Sequence, residues 1–389
     1  MKFDNITKIK LIFFLSSLYF FPIITLFYFS RGLNTFQAVS LEGFLIMAVL
    51  ISEIPTGIIA DRIGRKHAIT ILLGLFIIGN VITIYAQTYS LFIIVQFIFG
   101  IGIAFGSGAI EALVYDSLAS FGKEKEMSKV WGSINFYGLV AMIIAAIIGG
   151  YIARNHDPKL FVMLIWLFVI FSSFAFIMSF FVKEKYPKKE LTKENPLILF
   201  KESTRSILKN KSLKKIIYLT VMTQPFVFIL LFLFQPYFLI AKVNNSIYGI
   251  AVALGLIFGA ILIKYAYKIE KQIGMKKTIF LTTILPGLLY FAMVFLIGPI
   301  ISVAWYILMQ GFMKIREPLF SQYQNDHINS YNRATVLSII SMITSFYLVI
   351  MRFAIGAISN HNLLLGFIIM GLIITISSVI FRIDETSLA

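Results

Sequence analysis

Apolar residues run in blocks of about 20, separated by short polar breaks, along nearly the whole of this 389-residue chain. A helix needs about 20 mostly apolar residues to cross roughly 30 Å of hydrocarbon. The breaks predict twelve such helices, near residues 9–30, 38–60, 68–87, 91–116, 129–153, 159–182, 213–240, 246–267, 277–297, 300–323, 333–357 and 362–382. Membrane strands alternate polar and apolar over about 10 residues, and no such alternation persists here. The first run, Leu11–Phe29, is too long for a signal-peptide core and lacks an Ala-x-Ala-like cleavage site, so it reads as a permanent span.

Composition points the same way. Hydrophobic residues make up 59% of the chain and charged residues 13%, against about half and a quarter in soluble domains. The expected class is an all-α integral membrane protein. In a soluble protein a net charge of +16 would raise nucleic acid as a partner. In a membrane protein it reports topology, because Lys and Arg stay on the cytoplasmic side. The connections 86–90, 298–299 and 358–362 are short and nearly uncharged, and so belong outside. All Lys and Arg except five then fall on the cytoplasmic side: Arg31, Arg154, Lys159 and Lys242 lie outside, and Arg352 lies within a span. The expectation is a multi-pass protein of the cytoplasmic (inner) membrane, both termini cytoplasmic, with lipid and no nucleic acid as partner.

Absence of cysteine removes disulfides, thiol catalysis and thiolate metal sites. The four histidines, His67, His156, His327 and His361, sit near span ends or in loops without metal-ligand spacing. There is no phosphate-binding P-loop, so this chain alone is not an ATP-driven pump. No enzyme activity, cofactor or metal is expected, and the protein reads as a monomer.

The only long polar stretch runs from Lys183 to Lys215 and divides the spans into two sets of six. The expected organisation is an N-terminal half at 1–182, a basic connector held to the inner leaflet at 183–212, and a C-terminal half at 213–389. The halves echo each other. Asp61-Arg62-Ile63-Gly64-Arg65-Lys66 follows span 2, and Lys271-Gln272-Ile273-Gly274-Met275-Lys276 follows span 8. Glu111-Ala112-Leu113 in span 4 matches Glu317-Pro318-Leu319 in span 10. Parallel six-helix repeats around a substrate cavity are a transporter architecture.

Between spans 2 and 3 stands GIIADRIGRK, residues 57–66, preceded by Ser52-Glu53-Ile54-Pro55-Thr56. Its Gly57, Asp61, Arg62, Gly64, Arg65 and Lys66 fit a pattern G-x-x-x-D-R-x-G-R-[RK]. With twelve spans and a central basic loop, the chain resembles the major facilitator superfamily, in a prokaryotic subgroup of small-molecule exporters. Physics suits these residues to a tight turn. Glycine supplies positive φ at position 64, arginine forks onto carboxylates, and Asp61 is expected at a helix N-terminus, where negative charge is favoured. The resemblance implies a gate latch at the cytoplasmic face, with Asp116 as the acid partner. Two other family motifs are degraded. Gln96 stands where proton-driven members carry arginine, four residues before Gly100. Ala145-Ala146-Ile147-Ile148-Gly149-Gly150 keeps only the final glycine pair of the antiporter motif.

Charged groups within spans are costly and mark function. Glu42, Glu53, Glu111, Arg316, Glu317 and Arg352 are the candidates for proton or charge relay. Glu111 is expected to pair with Arg65 or Lys129, Glu317 with Arg333, and Glu53 within the gate. Glu42 is the leading proton site, with Arg31 or Arg352 as its basic neighbour. Gln224-Pro225 and Gln235-Pro236 predict a kinked or interrupted span 7. Gln96, Asn135, Tyr137, Gln224, Gln235 and Gln310 form a candidate polar cavity lining. The resulting expectation is a secondary transporter working by alternating access, exporting an amphipathic or drug-like small molecule in exchange for protons. Uptake of a small polar nutrient is the alternative, and a receptor that has lost transport is the third reading.

Overall fold

The computed structural model describes residues 5–19, 24–184, 196–328 and 330–383. In chain order the α-helices are α1 (Asn5–Ser16), α2 (Ile24–Ser30), α3 (Thr35–Ile63), α4 (Arg65–Tyr85), α5 (Tyr89–Gly106), α6 (Ala109–Ala119), α7 (Met127–Ile152), α8 (Pro158–Ser179), α9 (Pro196–Lys209), α10 (Lys211–Thr223), α11 (Pro225–Ile240), α12 (Tyr248–Ile273), α13 (Met275–Phe295), α14 (Pro299–Asp326), α15 (Arg333–His361) and α16 (Leu363–Ile380). Ten helices among the described residues are long and apolar enough to cross a membrane. The pair α1–α2 and the helix α14, which carries Lys314, Arg316 and Glu317 in its interior, complete the twelve spans of an all-α membrane fold. Large apolar side chains point outward: Ile54 is 76% exposed, Phe295 73% and Ile300 87%. Such a surface would aggregate in water and is suited to hydrocarbon.

Several boundaries differ from the sequence expectation. The polar residues 61–67 are not a loop: α3 runs to Ile63, α4 starts at Arg65, and Gly64 alone joins them. At 29 residues α3 is about 44 Å long, so its polar end extends past the hydrocarbon while staying helical. Span 4 is broken at Ser107–Gly108, where Gly108 takes φ +71° at the start of α6. Span 7 is broken at Gln224, between α10 and α11. Part of the expected connector is the helix α9, with Ser203 and Ile207 buried; residues 185–195 of that connector, like 20–23 of span 1, lie outside the described residues.

The chain divides into two compact units. One comprises Met1–Leu33, Leu41–Glu190 and Asn245–Ala253; the other comprises Asn34–Ser40, Leu191–Asn244 and Leu254–Ala389. The units repeat one packing plan. In the first, α4 packs on α5 and α8, and α1 on α7 and α8; in the second, α13 packs on α14 and α16, and α10 on α15 and α16. Each has its own apolar core: Ile12, Leu73, Leu113 and Ile134 in the first, and Leu213, Ile216, Phe320, Val336 and Ile340 in the second. Close backbone approach is local and glycine-dependent. In the first unit a Cβ on Gly150 would meet Gly249 Cα at 2.5 Å, so the retained Gly149-Gly150 pair serves contact between α7 and the start of α12.

Candidate functional site

A cluster of polar side chains in the first unit surrounds the α3–α4 turn. Gly64 sits at φ +97°, ψ 153°, a region that side chains rarely adopt. That single residue reverses the chain, and α4 begins with its first N–H groups exposed. Glu184 caps them: its carboxylate accepts from the Arg65 amide at 2.8 Å and the Lys66 amide at 3.0 Å. The favoured negative charge at this helix N-terminus is therefore Glu184. Asp61 is exposed in the last turn of α3, at the opposite, carbonyl end of a helix. The expectation that Asp61 caps a helix is corrected, because α3 continues through it.

The Arg65 side chain reaches across to α6. Its Nη1 donates to the Ala112 carbonyl at 2.9 Å and forms an ion pair with Asp116. Ala112 and Asp116 are one helical turn apart on the same face. Glu111 is rotated 100° from Ala112, is exposed, and makes no ion pair among the described residues; its expected pairing with Arg65 or Lys129 is not found. Its place in the first turn of α6 is nevertheless where a carboxylate is favourable. Lys66 Nζ donates to the Phe180 carbonyl at 2.7 Å, and Lys8 Nζ to the Phe181 carbonyl at 2.8 Å, so two ammonium groups cover the C-terminal end of α8. Asn5 clamps the segment beyond: its side chain accepts from the Lys183 amide at 2.9 Å and donates to the Lys183 carbonyl at 2.5 Å.

Sequence reasoning missed Asn5, Lys183 and Glu184. The one available signal was an acid standing in a run of lysines directly after span 6. Of the remaining motif residues, Arg62 is exposed without an ion pair among the described residues, and Gly57 faces open space. Glu53 is also exposed and makes no ion pair there, so its expected pairing is absent.

Elsewhere in this unit, buried Gln96 donates to Tyr28 Oη at 3.1 Å. Glu42 is half-buried and interacts electrostatically with Tyr19 and Tyr28. Arg31 sends its guanidinium to the Ile84 carbonyl at 2.8 Å and to the Phe27 ring rather than to Glu42. Asn135 bonds back to the Trp131 carbonyl of its own helix, and exposed Tyr137 carries Lys10 5.6 Å from its ring centre. A small cavity of about 30 Å³ lies among α1, α4, α6 and α8, lined by Ile9, Phe13, Leu72, Ile110 and Lys66; none of the predicted cavity residues lines it.

In the second unit the equivalent turn keeps its glycine and lacks the arginine. Gly274 takes φ +82°, ψ 151° between α12 and α13, matching Gly64. At the place of Arg65 stands Met275, packed against the apolar clusters of Ile315, Leu319 and Phe320. Glu317 is exposed and pairs with Lys314 at 2.9 Å, one turn away on α14. Arg333 instead donates to the carbonyls of Asn325 and Ile328. The neighbouring Arg316 points inward: it is 5% exposed, its Nη2 donates to Thr223 Oγ1, and its guanidinium lies 4.6 Å from the Phe320 ring centre. Gln324 donates to Thr220 at 3.0 Å along the same seam. Arg352 is buried on α15, donating to the Phe228 carbonyl at 3.4 Å over the Phe232 ring. Gln235 and Gln310 are buried, the latter against Gly255 of α12, and Gln224 is half-buried at the α10–α11 break.

Comparison with known proteins bears on the whole chain. The chain is 30% identical over 152 residues to an uncharacterized transporter of Buchnera aphidicola subsp. Schizaphis graminum, covering 39% of this chain and 37% of that one. It is 25% identical over 166 residues to multidrug resistance protein MdtL of Escherichia coli O81 (strain ED1a), covering 42% and 40%. The match therefore spans less than half the length of either relative. The crystal structure of nucleoside transporter NupG superposes with a TM-score of 0.77 over 98% of each chain, at 14% identity, a likeness of fold. The sequence model of the Major Facilitator Superfamily matches residues 9–350, and the chain belongs to that family of membrane transporters.

Proposed function

We propose that this protein exports an amphipathic small molecule across the cytoplasmic membrane by alternating access of two six-helix halves, 1–182 and 213–389, in exchange for protons. The observation that carries the reading is the Arg65 cluster. One side chain joins α4 to the Ala112 carbonyl and Asp116 of α6, and Glu184 fixes the backbone from which it projects. A charged latch of this kind holds helix ends together and releases them without unfolding either helix, because both partners stay within helical turns. On the topology expected from the charge census it lies at the cytoplasmic end. Export rather than uptake is favoured by the intact 57–66 signature and by the partial likeness to a multidrug resistance protein.

The proton is assigned to Glu42. It is a half-buried carboxyl within α3, with Tyr19 and Tyr28 as electrostatic neighbours. The predicted gate acids Asp61, Glu53, Glu111 and Glu317 are all exposed, a poorer setting for a coupled proton.

Proteoliposomes holding the purified protein, loaded with amphipathic dyes of positive, neutral and negative charge under an imposed pH gradient, test this. Gradient-driven movement of at least one dye class is the expected result. Movement of a sugar or amino acid with no dye would replace export by nutrient uptake, and no gradient-dependent flux of any solute would refute proton-coupled transport.

A further inference from the structure

Arg316 is a buried cation without an anion among the described residues. Its Nε and Nη1 are both fully buried and have no hydrogen-bond partner, and only Nη2 is engaged, by Thr223. Thr223 passes its own proton to the Leu219 carbonyl at 2.5 Å, so it orients the guanidinium as an acceptor and has no donor left for a ligand. No carboxylate among the described residues pairs with Arg316; adjacent Glu317 is turned outward to Lys314. A guanidinium cannot shed its proton to escape burial, and an uncompensated buried charge is strongly destabilising.

A second observation lies at the same place. Span 7 is interrupted one residue beyond Thr223. Pro225 opens α11 without an N–H, and Gln224 provides no side-chain cap. Gln224 keeps helical angles (φ −65°, ψ −38°) and its N–H bonds to the Thr220 carbonyl, so the span bends beside the residue that holds Arg316. Bent membrane helices of this kind line the substrate cavities of transporters. The surroundings are otherwise apolar and aromatic, with Phe226 and Phe320 both buried.

We infer that Arg316, positioned by Thr223, anchors the carboxylate of an amphipathic organic acid carried by the protein, the head at the guanidinium and the apolar tail against the aromatic wall. The inference rests on the transport reading above and narrows its substrate class. Charge counting favours a monocarboxylate, since one guanidinium balances one negative charge, and Lys314, the nearest other cation on α14, is already paired with Glu317.

The full-length protein in nanodiscs of neutral lipid, titrated with salicylate, benzyl alcohol, benzylamine and inorganic phosphate, tests it. Salicylate is expected to bind at least about tenfold more tightly than the others, and R316Q to lose about tenfold or more of that affinity, the range of a hydrogen bond to a charged group. R316K should retain part of the affinity, and T223V should weaken it a few-fold. The assignment is overturned if wild type does not bind salicylate, or if folded R316Q binds it as well as wild type. Should R316Q fail to fold, unchanged salicylate affinity in both R316K and T223V overturns it equally. Loss of salicylate binding in anionic-lipid discs would identify a lipid headgroup as the occupant and also overturn it. Flux separates the two readings: unchanged pH-driven salicylate flux in folded R316Q removes only the subsite, whereas no gradient-driven flux of any solute by wild type removes the transport reading.

Discussion

Glu184 holds the amide of Arg65 at 2.8 Å from a position 119 residues further along the chain. The contact fixes where α4 starts and thereby the origin from which the Arg65 side chain reaches Asp116. Replacing Glu184 by Ala leaves two amides uncapped. The expected loss is about 0.5–2 kcal/mol of stability, the usual range for a lost N-cap, read as a lower melting temperature in detergent. Glu184→Gln, which keeps an acceptor and loses the charge, should fall between. If Glu184→Ala melts like wild type, the cap contributes nothing.

The ion pair itself makes a separate prediction. Both side chains are mostly shielded, at 24% exposure for Arg65 and 14% for Asp116, so their interaction should exceed that of an exposed surface pair. A double-mutant cycle with Arg65→Gln and Asp116→Asn is expected to give a coupling of about 1–2 kcal/mol. If the pair is a latch, each single variant should alter transport rate without altering the range of dyes carried. A changed dye range would place the pair in the substrate path instead.

Much of this arrangement is legible in the amino acids alone. The apolar blocks locate the spans, and Gly64 and Gly274 mark the one-residue turns, since a reversal that tight calls for backbone angles other residues avoid. The link from Arg65 to Asp116 comes from the family resemblance, because spacing alone cannot tell Asp116 from Glu111. Helix phase decides between them: five residues along a helix turn a side chain by about 140°, and only Asp116 shares a face with Ala112. Phase also separates Arg316 from Glu317, adjacent in sequence, one packed on Thr223 and the other exposed. Glu184 is hidden for a different reason. A cap supplied from after span 6 to a helix starting at residue 65 is a tertiary contact, and its composition signal is diluted by the lysines around it.

The paired glycines allow a controlled comparison. Gly64 and Gly274 both combine a positive φ with an extended ψ, where an L-residue costs about 1–3 kcal/mol. A Cβ added at Gly274 would meet nothing within 4 Å, so there the cost is backbone strain and not crowding, whereas Gly64 is buried. Gly274→Ala should therefore lose about that much stability, and Gly64→Ala at least as much. Only Gly64→Ala is expected to slow transport beyond that, because Arg65 follows it whereas Met275 follows Gly274. Equal transport rates in the two variants would refute a special role for the first turn.

Coupling is predicted to depend on Glu42. Glu42→Gln keeps the size of the side chain and cannot release a proton. In proteoliposomes it should abolish accumulation driven by a pH gradient while leaving exchange of unlabelled for labelled dye intact. Retained pH-driven accumulation would remove Glu42 from the proton path and return attention to the remaining acids.

The loop after α7 carries a pH-sensitive group outside the membrane spans. His156 takes φ +54°, its Nε2 is buried without a partner, and its ring meets Tyr248 edge-on at 6.4 Å. Burial lowers its pKa below the ordinary value of 6.5, because the charged ring loses water and gains no acceptor. A histidine with a depressed folded-state pKa is less protonated than its unfolded counterpart, so its contribution to stability is fully present above about 6.5 and is lost as pH falls through the window between the unfolded and the folded pKa. The melting temperature of wild type should therefore drop between about pH 7 and pH 5 by more than that of His156→Gln. Parallel pH profiles for the two proteins would show that this ring is not what titrates.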